Sequence, residues 1–451
     1  MWLYALATTI AEHLNFYVDR TEFPVAARHQ RVALVTAAYD RSIDGVALTL
    51  NRLVAHLLKQ GHEVLVIVPA TGKKKPTLTA TGAPVVRVPS VRCPIWWEYR
   101  LTWGLGRDAR KQLEAFKPTV LHIAIQDGMG HAAQRWAAER SIPVVCSHHT
   151  RFERYLSYYG LGGFLERLYW FGMRRFHSQC ASTLPPSQSL QQDLASHGIP
   201  RVGVWPRGVD RSLFVPSARK EQWRQGVGGD EATPIVLLVA RLRWEKGLAT
   251  FASVIAALND RGVRHRVAIV GDGPAREAFS RLLPPSAAFF GTLTGAQLAE
   301  AYASSDIFLY PSTTEGWGAT CLEAQSAGLP VVATTSSGIV EVVADGVGGF
   351  LRAPHNSSAL ADAVESLVTD DGLRREMGRR ASRHAEKFAW EASGDRMLCE
   401  YARHARPVLP SEATADRPSA GLADRLASAA SEVAGLPVAQ WSCPETAMLN
   451  T

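Results

Sequence analysis

Twice along this chain an apolar run leads into a glycine-bearing loop, a helix-periodic segment, a glycine stop and a second apolar run. The first instance is RVALVT (31–36), a loop 37–44 closing at Gly45, a helical stretch 46–59, Gly61, and EVLVIVP (63–69). In the helical stretch Leu50, Leu53, Val54, Leu57 and Leu58 share one face. Short continuous apolar runs bounded by turn residues suit strands buried on both faces, and parallel neighbours need a helical crossover between them. The pattern is a βαβ unit and demands a parallel sheet. It continues with strands at 84–89, 120–124, 143–147, 181–185 and 202–205, and helices at 107–116, 128–140, 164–180 and 187–196. Residues 206–229 break it with prolines, glycines and charges and read as a linker. The alternation then restarts. Strands fall at 234–240, 266–270, 287–290, 307–310, 331–334 and 349–351, and helices at 245–258, 295–303, 319–327, 357–368, 372–387 and 388–403.

The fold class is therefore α/β, with residues 31–206 and 207–387 as two halves of similar size and 388–404 as a last helix. Residues 1–30 form an N-terminal extension with a candidate helix over 3–17. Residues 405–451 are rich in Ala, Ser and Pro and read as a disordered tail with a weak helix near 422–433. With 451 residues, two to three domains are expected. The natural ligand site is the cleft where strand ends and helix starts of both halves converge.

No apolar run approaches the roughly 20 residues of a membrane span, and the apolar opening 1–10 lacks the basic start of a signal peptide. The six cysteines (93, 146, 180, 321, 399, 443) are scattered without a CxxC pair, which favours a reducing compartment and argues against structural zinc. A net charge of +7 suits anionic ligands or surfaces. No helix-turn-helix, finger or RNA-binding signature accompanies it, so nucleic acid is not expected as a partner.

The stretch YPSTTEGWGATCLEAQSAGLPVVAT (310–334) carries the most chemistry. A polar loop with Gly316 and Gly318 runs into a helix start, where unbonded backbone N–H groups and roughly half a positive charge attract anions. The carboxylates of Glu315 and Glu323 would repel a phosphate and suit hydroxyl groups. A diphosphate flanked by polyols, a sugar nucleotide, satisfies both demands. Arg241 and Lys246 (ARLRWEKG), with Arg243 as a third cation, sit near a strand's carboxyl end and suit a diphosphate, or simply a charged surface. Gly271-Asp272-Gly273 lacks the GxGxxG spacing of a nicotinamide site. P-loop and GxSxG patterns are absent too. His148-His149 end a strand, as packing or as site residues. Residues 91–105 hold Trp96, Trp97, Tyr99 and Trp103 beside Arg92 and Arg100, as core or as a lid. The 164–180 helix mixes Trp170, Phe171 and Phe176 with Arg167, Arg174 and Arg175, as a core helix with basic ends or as an amphipathic membrane helix.

Taken in order, EGWGATCLE (315–323), ARLRWEKG, VGDGP, FFGTLT, SSDIFLYPS and EAQSAGLPVVAT resemble the blocks of retaining glycosyltransferases of family 4, the first being similar to its E-x7-E motif. DGVALTLNRLVAHLLKQGHEV, SHHTRFERYLSYYG and WPRGVDRSLFVP resemble its branch of nucleotide-sugar-dependent mannosyltransferases and sulfoquinovosyl-diacylglycerol-type synthases. The resemblance covers about residues 31–404.

It implies two facing Rossmann-like domains of GT-B type, the first for acceptor and the second for donor, with helix 388–404 crossing back to the first. It implies no cofactor and no metal at the donor. The substrate would be GDP-mannose or a UDP-hexose, and the acceptor a lipid or glycan at the cytoplasmic membrane face, with peripheral membrane contact. By position, Glu323 would hold the ribose hydroxyls. Glu315 would hold the transferred sugar, with backbone N–H groups of Gly316, Trp317 and Gly318. The helix start at Ala319 and Thr320, with Arg241 and Lys246, would hold the diphosphate and stabilise it as it leaves. Gly45 would let a first-half loop close on the phosphate, His149 would contact the sugar, and Leu293, after Gly291, would lie near the base. Trp317 replaces the family's more usual Phe. Acceptor contacts are expected around 96–103 and 151–163. Lys246→Ala is expected to cut turnover far more than it alters folding. A non-catalytic sugar-nucleotide-binding protein and a nicotinamide dehydrogenase are the competing readings.

Overall fold

The structure is a computed structural model that describes residues 29–37, 39, 45–71, 77–92, 100–149, 163–228, 233–336 and 338–405. The candidate helices at 3–17 and 422–433, the trio Trp96, Trp97 and Tyr99, and the loop 151–162 lie outside the described residues.

In the first half the strands are β1 (Arg31–Val35), β2 (Glu63–Pro69), β3 (Val85–Val88), β4 (Val91–Arg92), β5 (Arg100–Leu101), β6 (Val120–Ile123), β7 (Val144–Ser147) and β8 (Ser182–Leu184). Six of them form one sheet in the order β3-β2-β1-β6-β7-β8, every pairing parallel. β4 and β5 pair antiparallel as a separate ribbon. On one face of the sheet lie Leu50, Leu53, Val54 and Leu57 of helix Gly45–Lys59, with Met397, Leu398 and Tyr401 of helix Trp390–His404. On the other lie Ala109 and Leu113 of helix Gly106–Phe116, Met129 and Trp136 of helix Gly128–Glu139, and Phe176 of helix Phe164–His177.

The second half repeats the design with β9 (Ile235–Val239), β10 (Arg266–Val270), β11 (Ala288–Phe289), β12 (Ile307–Tyr310), β13 (Val331–Thr334) and β14 (Gly349–Arg352). Their order, β11-β10-β9-β12-β13-β14, is again all parallel. In both sheets the order reverses beside the first strand, between β1 and β6 and between β9 and β12. Crevices at such switch points, outside the carboxyl ends of the strands, are where open α/β sheets take ligands.

Three expectations change. The strand expected at 202–205 is a single bridge from Val202 to Thr183. The segment still follows β8, with the N–H groups of Gly203 and Trp205 donating to the carbonyls of Thr183 and Pro185 at 2.9 and 2.8 Å, and the indole N–H of Trp205 donates to the Ser393 carbonyl at 3.0 Å. The segment 206–229 is more than a linker. It contains helix Glu221–Gly226, whose fully buried Arg224 donates to Asp306 Oδ2 at 2.6 Å and to the Ser304 carbonyl at 2.9 Å. The helix expected over 245–258 is a 3-10 turn, Trp244–Lys246, then a helix, Leu248–Asp260, separated by Gly247 in the left-handed region at φ 75°.

The last helix returns to the first half. Ser393 Oγ donates to the Pro206 carbonyl at 2.7 Å, and a Cβ at Gly394 would stand 2.5 Å from the His56 ring. A second tie between the halves runs the other way. Glu341 accepts from the N–H groups of Gln188 and Ser189 at 2.8 and 2.9 Å, placing a carboxylate at the start of helix Gln188–Ser196, where the helix dipole favours it.

Candidate active site

The loops after β9 and β12 flank the second switch point and are pressed together. A Cβ at Gly247 would lie 2.2 Å from the Pro311 carbonyl oxygen, so only glycine permits this approach. Thr314 Oγ1 donates to the Glu245 carbonyl at 3.3 Å. The break at Gly247 keeps Lys246 off the following helix and delivers its side chain to Glu315, where Nζ donates to Oε1 at 2.6 Å. The hydroxyls of Tyr310 and Ser312 donate to the same oxygen, each at 2.8 Å. Burial would push the Glu315 carboxyl up, but the Lys246 charge and these three hydrogen bonds outweigh it and hold it below its ordinary value. Glu315 is a fixed anion that anchors a cation.

Three residues on, Gly318 caps helix Ala319–Ser326 in the left-handed region (φ 87°), without a side-chain cap and without an acidic residue in the first turn. Its leading N–H groups keep their affinity for an anion. One turn in, Glu323 Oε2 accepts from the Tyr302 hydroxyl at 3.0 Å, and burial pushes its carboxyl up to about 7. Glu315 and Glu323 therefore differ in charge near neutrality, one paired with a cation and the other set to titrate.

The remaining expected residues divide. A Cβ at Gly316 would meet open space, which suits a ligand at the backbone. Trp317 is 3 % exposed and packs edge-on against Phe388, so its indole belongs to the core and only its backbone can meet a donor. Gly291 accepts from the Gly271 N–H at 2.7 Å, and Leu293 packs half-buried on the core. Arg241 is exposed on the Lys246 loop. In the first half, Gly45 begins helix Gly45–Lys59, and Arg207 Nη1 lies 3.4 Å from where its Cβ would be. Arg207 Nη2 reaches His149 Nδ1 at 3.2 Å.

Comparison with known proteins decides the family. The model for glycosyltransferase family 4 matches residues 43–213, and that for glycosyl transferases group 1 matches residues 219–384. A GDP-mannose-dependent alpha-mannosyltransferase of Mycolicibacterium smegmatis is 36% identical over 82% of this chain and 96% of its own length. The chain belongs to glycosyltransferase family 4. The sulfoquinovosyl transferase SQD2 of Arabidopsis thaliana is 31% identical over 78% of this chain and 69% of its length. Among solved structures, a sucrose-phosphate synthase from Thermosynechococcus elongatus superposes with a TM-score of 0.69 at 18% identity, covering 82% of this chain and 98% of that one. The glycosyltransferase has the GT-B fold, as the doubled sheets already indicate.

In this glycosyltransferase, sequence reasoning missed Tyr310, Ser312 and Tyr302, which hold the two glutamates, and Arg207, which joins Gly45 to His149. The tyrosines end a strand and lie in a helix, where they read as core. Arg207 lies within WPRGVD, inside what was read as linker. Also unforeseen is a buried trio, Cys146, His177 and Cys180, whose donor atoms lie within 4.8 Å of one another. Both cysteines are free thiols, and their sulfurs accept from the amides of Gln126 at 3.4 Å and Gln134 at 3.3 Å.

The raised Glu323 carboxyl gives a pH test of the expectation that Glu323 holds the ribose hydroxyls. Hydroxyls donate more strongly to a carboxylate than to the acid, by about 1 kcal/mol. GDP affinity, measured by calorimetry, should therefore tighten about fivefold as pH rises through about 7. Glu323→Gln should weaken binding and flatten that dependence. An unchanged pH profile in the variant would separate Glu323 from the donor.

Proposed function

We propose that this glycosyltransferase moves mannose from GDP-mannose onto a lipid or glycan acceptor, with retention of the anomeric configuration. The mannosyltransferase relative that matches over 82% of this chain supports the donor. The observation that carries the chemistry is Lys246, anchored on Glu315 three residues before Gly318, the N-cap of helix Ala319–Ser326, which has no side-chain cap. The bond from the anomeric carbon to the diphosphate breaks, and its electron pair stays on the leaving phosphate. Lys246, Arg241 and the N–H groups of Ala319 and Thr320 stabilise the charge that develops, in a geometry set before the reaction. The acceptor hydroxyl adds on the face the diphosphate leaves, and its proton passes to the departing phosphate. Glu315 positions the cation and the sugar and is not the base. In this reading residues 31–206 serve the acceptor, residues 207–387 the donor, and Gly291 and Leu293 border the base.

A second donor, a UDP-hexose delivered to diacylglycerol, rests on the resemblance to sulfoquinovosyl-diacylglycerol-type synthases, and a sulfoquinovosyl transferase is among the relatives. Incubating the protein with GDP-mannose, UDP-glucose and NAD separately, with a membrane lipid extract as acceptor and mass detection of products, decides between them. Transfer from GDP-mannose is expected. Binding without turnover on any acceptor would mark a non-catalytic sugar-nucleotide binder instead.

The Lys246–Glu315 pair revises one expectation. The side chains are 23% and 14% exposed, so Lys246→Ala strands a buried carboxylate and costs folding stability as well, by about 3 kcal/mol. Turnover should fall further, by about 10²–10³-fold, since one preorganised charge is lost at the leaving group. Full turnover in a folded Lys246→Ala protein would remove the leaving-group role.

The membrane contact rests on helix Phe164–His177. It buries Trp170, Met173 and Phe176, yet leaves Leu165, Leu168 and Phe171 43%, 56% and 59% exposed beside exposed Arg167 and Arg175. A basic, apolar face of this kind suits an anionic bilayer surface. No helix among the described residues is long and apolar enough to cross a membrane. The protein should sediment with vesicles rich in anionic phospholipid and not with neutral ones. Leu168→Asp with Phe171→Asp should abolish that sedimentation, and its persistence would place the contact elsewhere.

A further inference from the structure

Five polar side chains far apart in sequence form one line through the first half. The hydroxyl of Tyr401, on helix Trp390–His404, lies 2.5 Å from His122 Nδ1 on β6. His122 Nε2 lies 2.8 Å from Ser147 Oγ on β7, and Ser147 Oγ lies 2.8 Å from His149 Nε2. His149 Nδ1 lies 3.2 Å from Arg207 Nη2. Tyr401, His122 and Ser147 are 0% exposed.

The chemistry of the arginine end fixes the tautomer of His149, and the remaining links follow once the Ser147 hydroxyl donates to His122. A guanidinium only donates, so His149 Nδ1 accepts and carries no proton. The ring proton then sits on Nε2 and goes to Ser147 Oγ. The Ser147 hydroxyl hydrogen points to His122 Nε2, and the His122 Nδ1–H donates to the Tyr401 oxygen. Burial keeps His122 neutral, pushing it down to about 3. Burial, followed by the Arg207 charge, holds His149 well below its ordinary value. Trp205 braces both rings edge-on, with centroids at 5.9 Å from His122 and 6.0 Å from His149, and is itself bonded to Ser393 on the Tyr401 helix.

We infer that Tyr401, His122 and Ser147 are positioning residues that lock His149 as the neutral Nε2–H tautomer and, through it, hold the Arg207 guanidinium against Gly45. The inference rests on the reading that His149 and Gly45 border the sugar and phosphate. Both ring nitrogens of His149 are occupied, so it meets a sugar through its carbon edge and not as an N–H donor. The returning helix thereby orients a ring and a cation of the acceptor half, beyond packing on its surface.

The test uses the full chain with ¹⁵N-labelled histidine, read by NMR for the tautomer of His149, alongside kinetics with GDP-mannose and a lipid extract. Tyr401→Phe keeps the ring and removes the hydroxyl. Ser147→Ala cuts the line next to His149, and it carries the test alone if Tyr401→Phe does not fold. In wild type, His149 should show the Nε2–H signature. In both variants it should become a mixture of tautomers, kcat should fall about ten- to a hundredfold, and GDP affinity should hold. The double variant should lose no more than the worse single one, because both cut one line. A wild-type tautomer and wild-type kcat in Ser147→Ala would reduce the line to core filling. Wild-type protein that transfers no sugar from any donor would instead sink the functional reading, and the tautomer spectra would still decide the positioning claim.

Discussion

The ion pair between Lys246 and Glu315 joins two loops that belong to different strands on either side of a switch point. Each group alone would be a liability, since a half-buried ammonium and a buried carboxylate both pay for lost water. Together, with Tyr310 and Ser312 completing the carboxylate oxygen, they fix a cation on the residue three before Gly318, which opens a helix without a side-chain cap. The geometry depends on Gly247, which breaks what would otherwise be one continuous helix. A side chain there would collide with Pro311 and push the loops apart. Electrostatics and backbone conformation thus join a cation to the loop that opens the Ala319–Ser326 helix, the arrangement the proposed diphosphate site requires.

The sheets were legible in the sequence because strands buried on both faces leave an unambiguous record: short apolar runs, at regular spacing, punctuated by glycine. The last helix was legible through Trp390, Met397, Leu398 and Tyr401, and its return to the first half only through the family resemblance. What escaped has a common cause. Helix Glu221–Gly226 exists because Arg224 finds Asp306, 82 residues away. The break at Gly247 exists because Pro311 approaches. Neither partner is visible locally, so propensity pointed elsewhere. At the site, the motif residues Glu315 and Glu323 could be singled out, but not the tyrosines that hydrogen-bond them. Trp317 sits within the motif, yet its indole turns to Phe388.

The two halves use their polar groups differently. In the second half a charged pair stands at a loop junction and the carboxylates have divergent proton affinities, one depressed by a lysine and one raised by burial. In the first half a line of neutral groups starts at a donating guanidinium, Arg207, and ends at the Tyr401 hydroxyl. Neutral lines of this kind transmit orientation and not charge, because the donor-only guanidinium at one end sets the tautomer of the ring it meets. The helix Trp390–His404 supplies the buried end of that line and bonds to Trp205 and Pro206 as well. Glu341 ties the second half back to the first at a helix start.

The central claim concerns where a diphosphate sits, and a crystal structure with GDP bound tests it most directly. The account predicts phosphate oxygens accepting from the N–H groups of Ala319 and Thr320 and from Lys246 Nζ, with the ribose hydroxyls on Glu323. A diphosphate lying away from the Ala319 helix start, with Lys246 touching no phosphate oxygen, would contradict it.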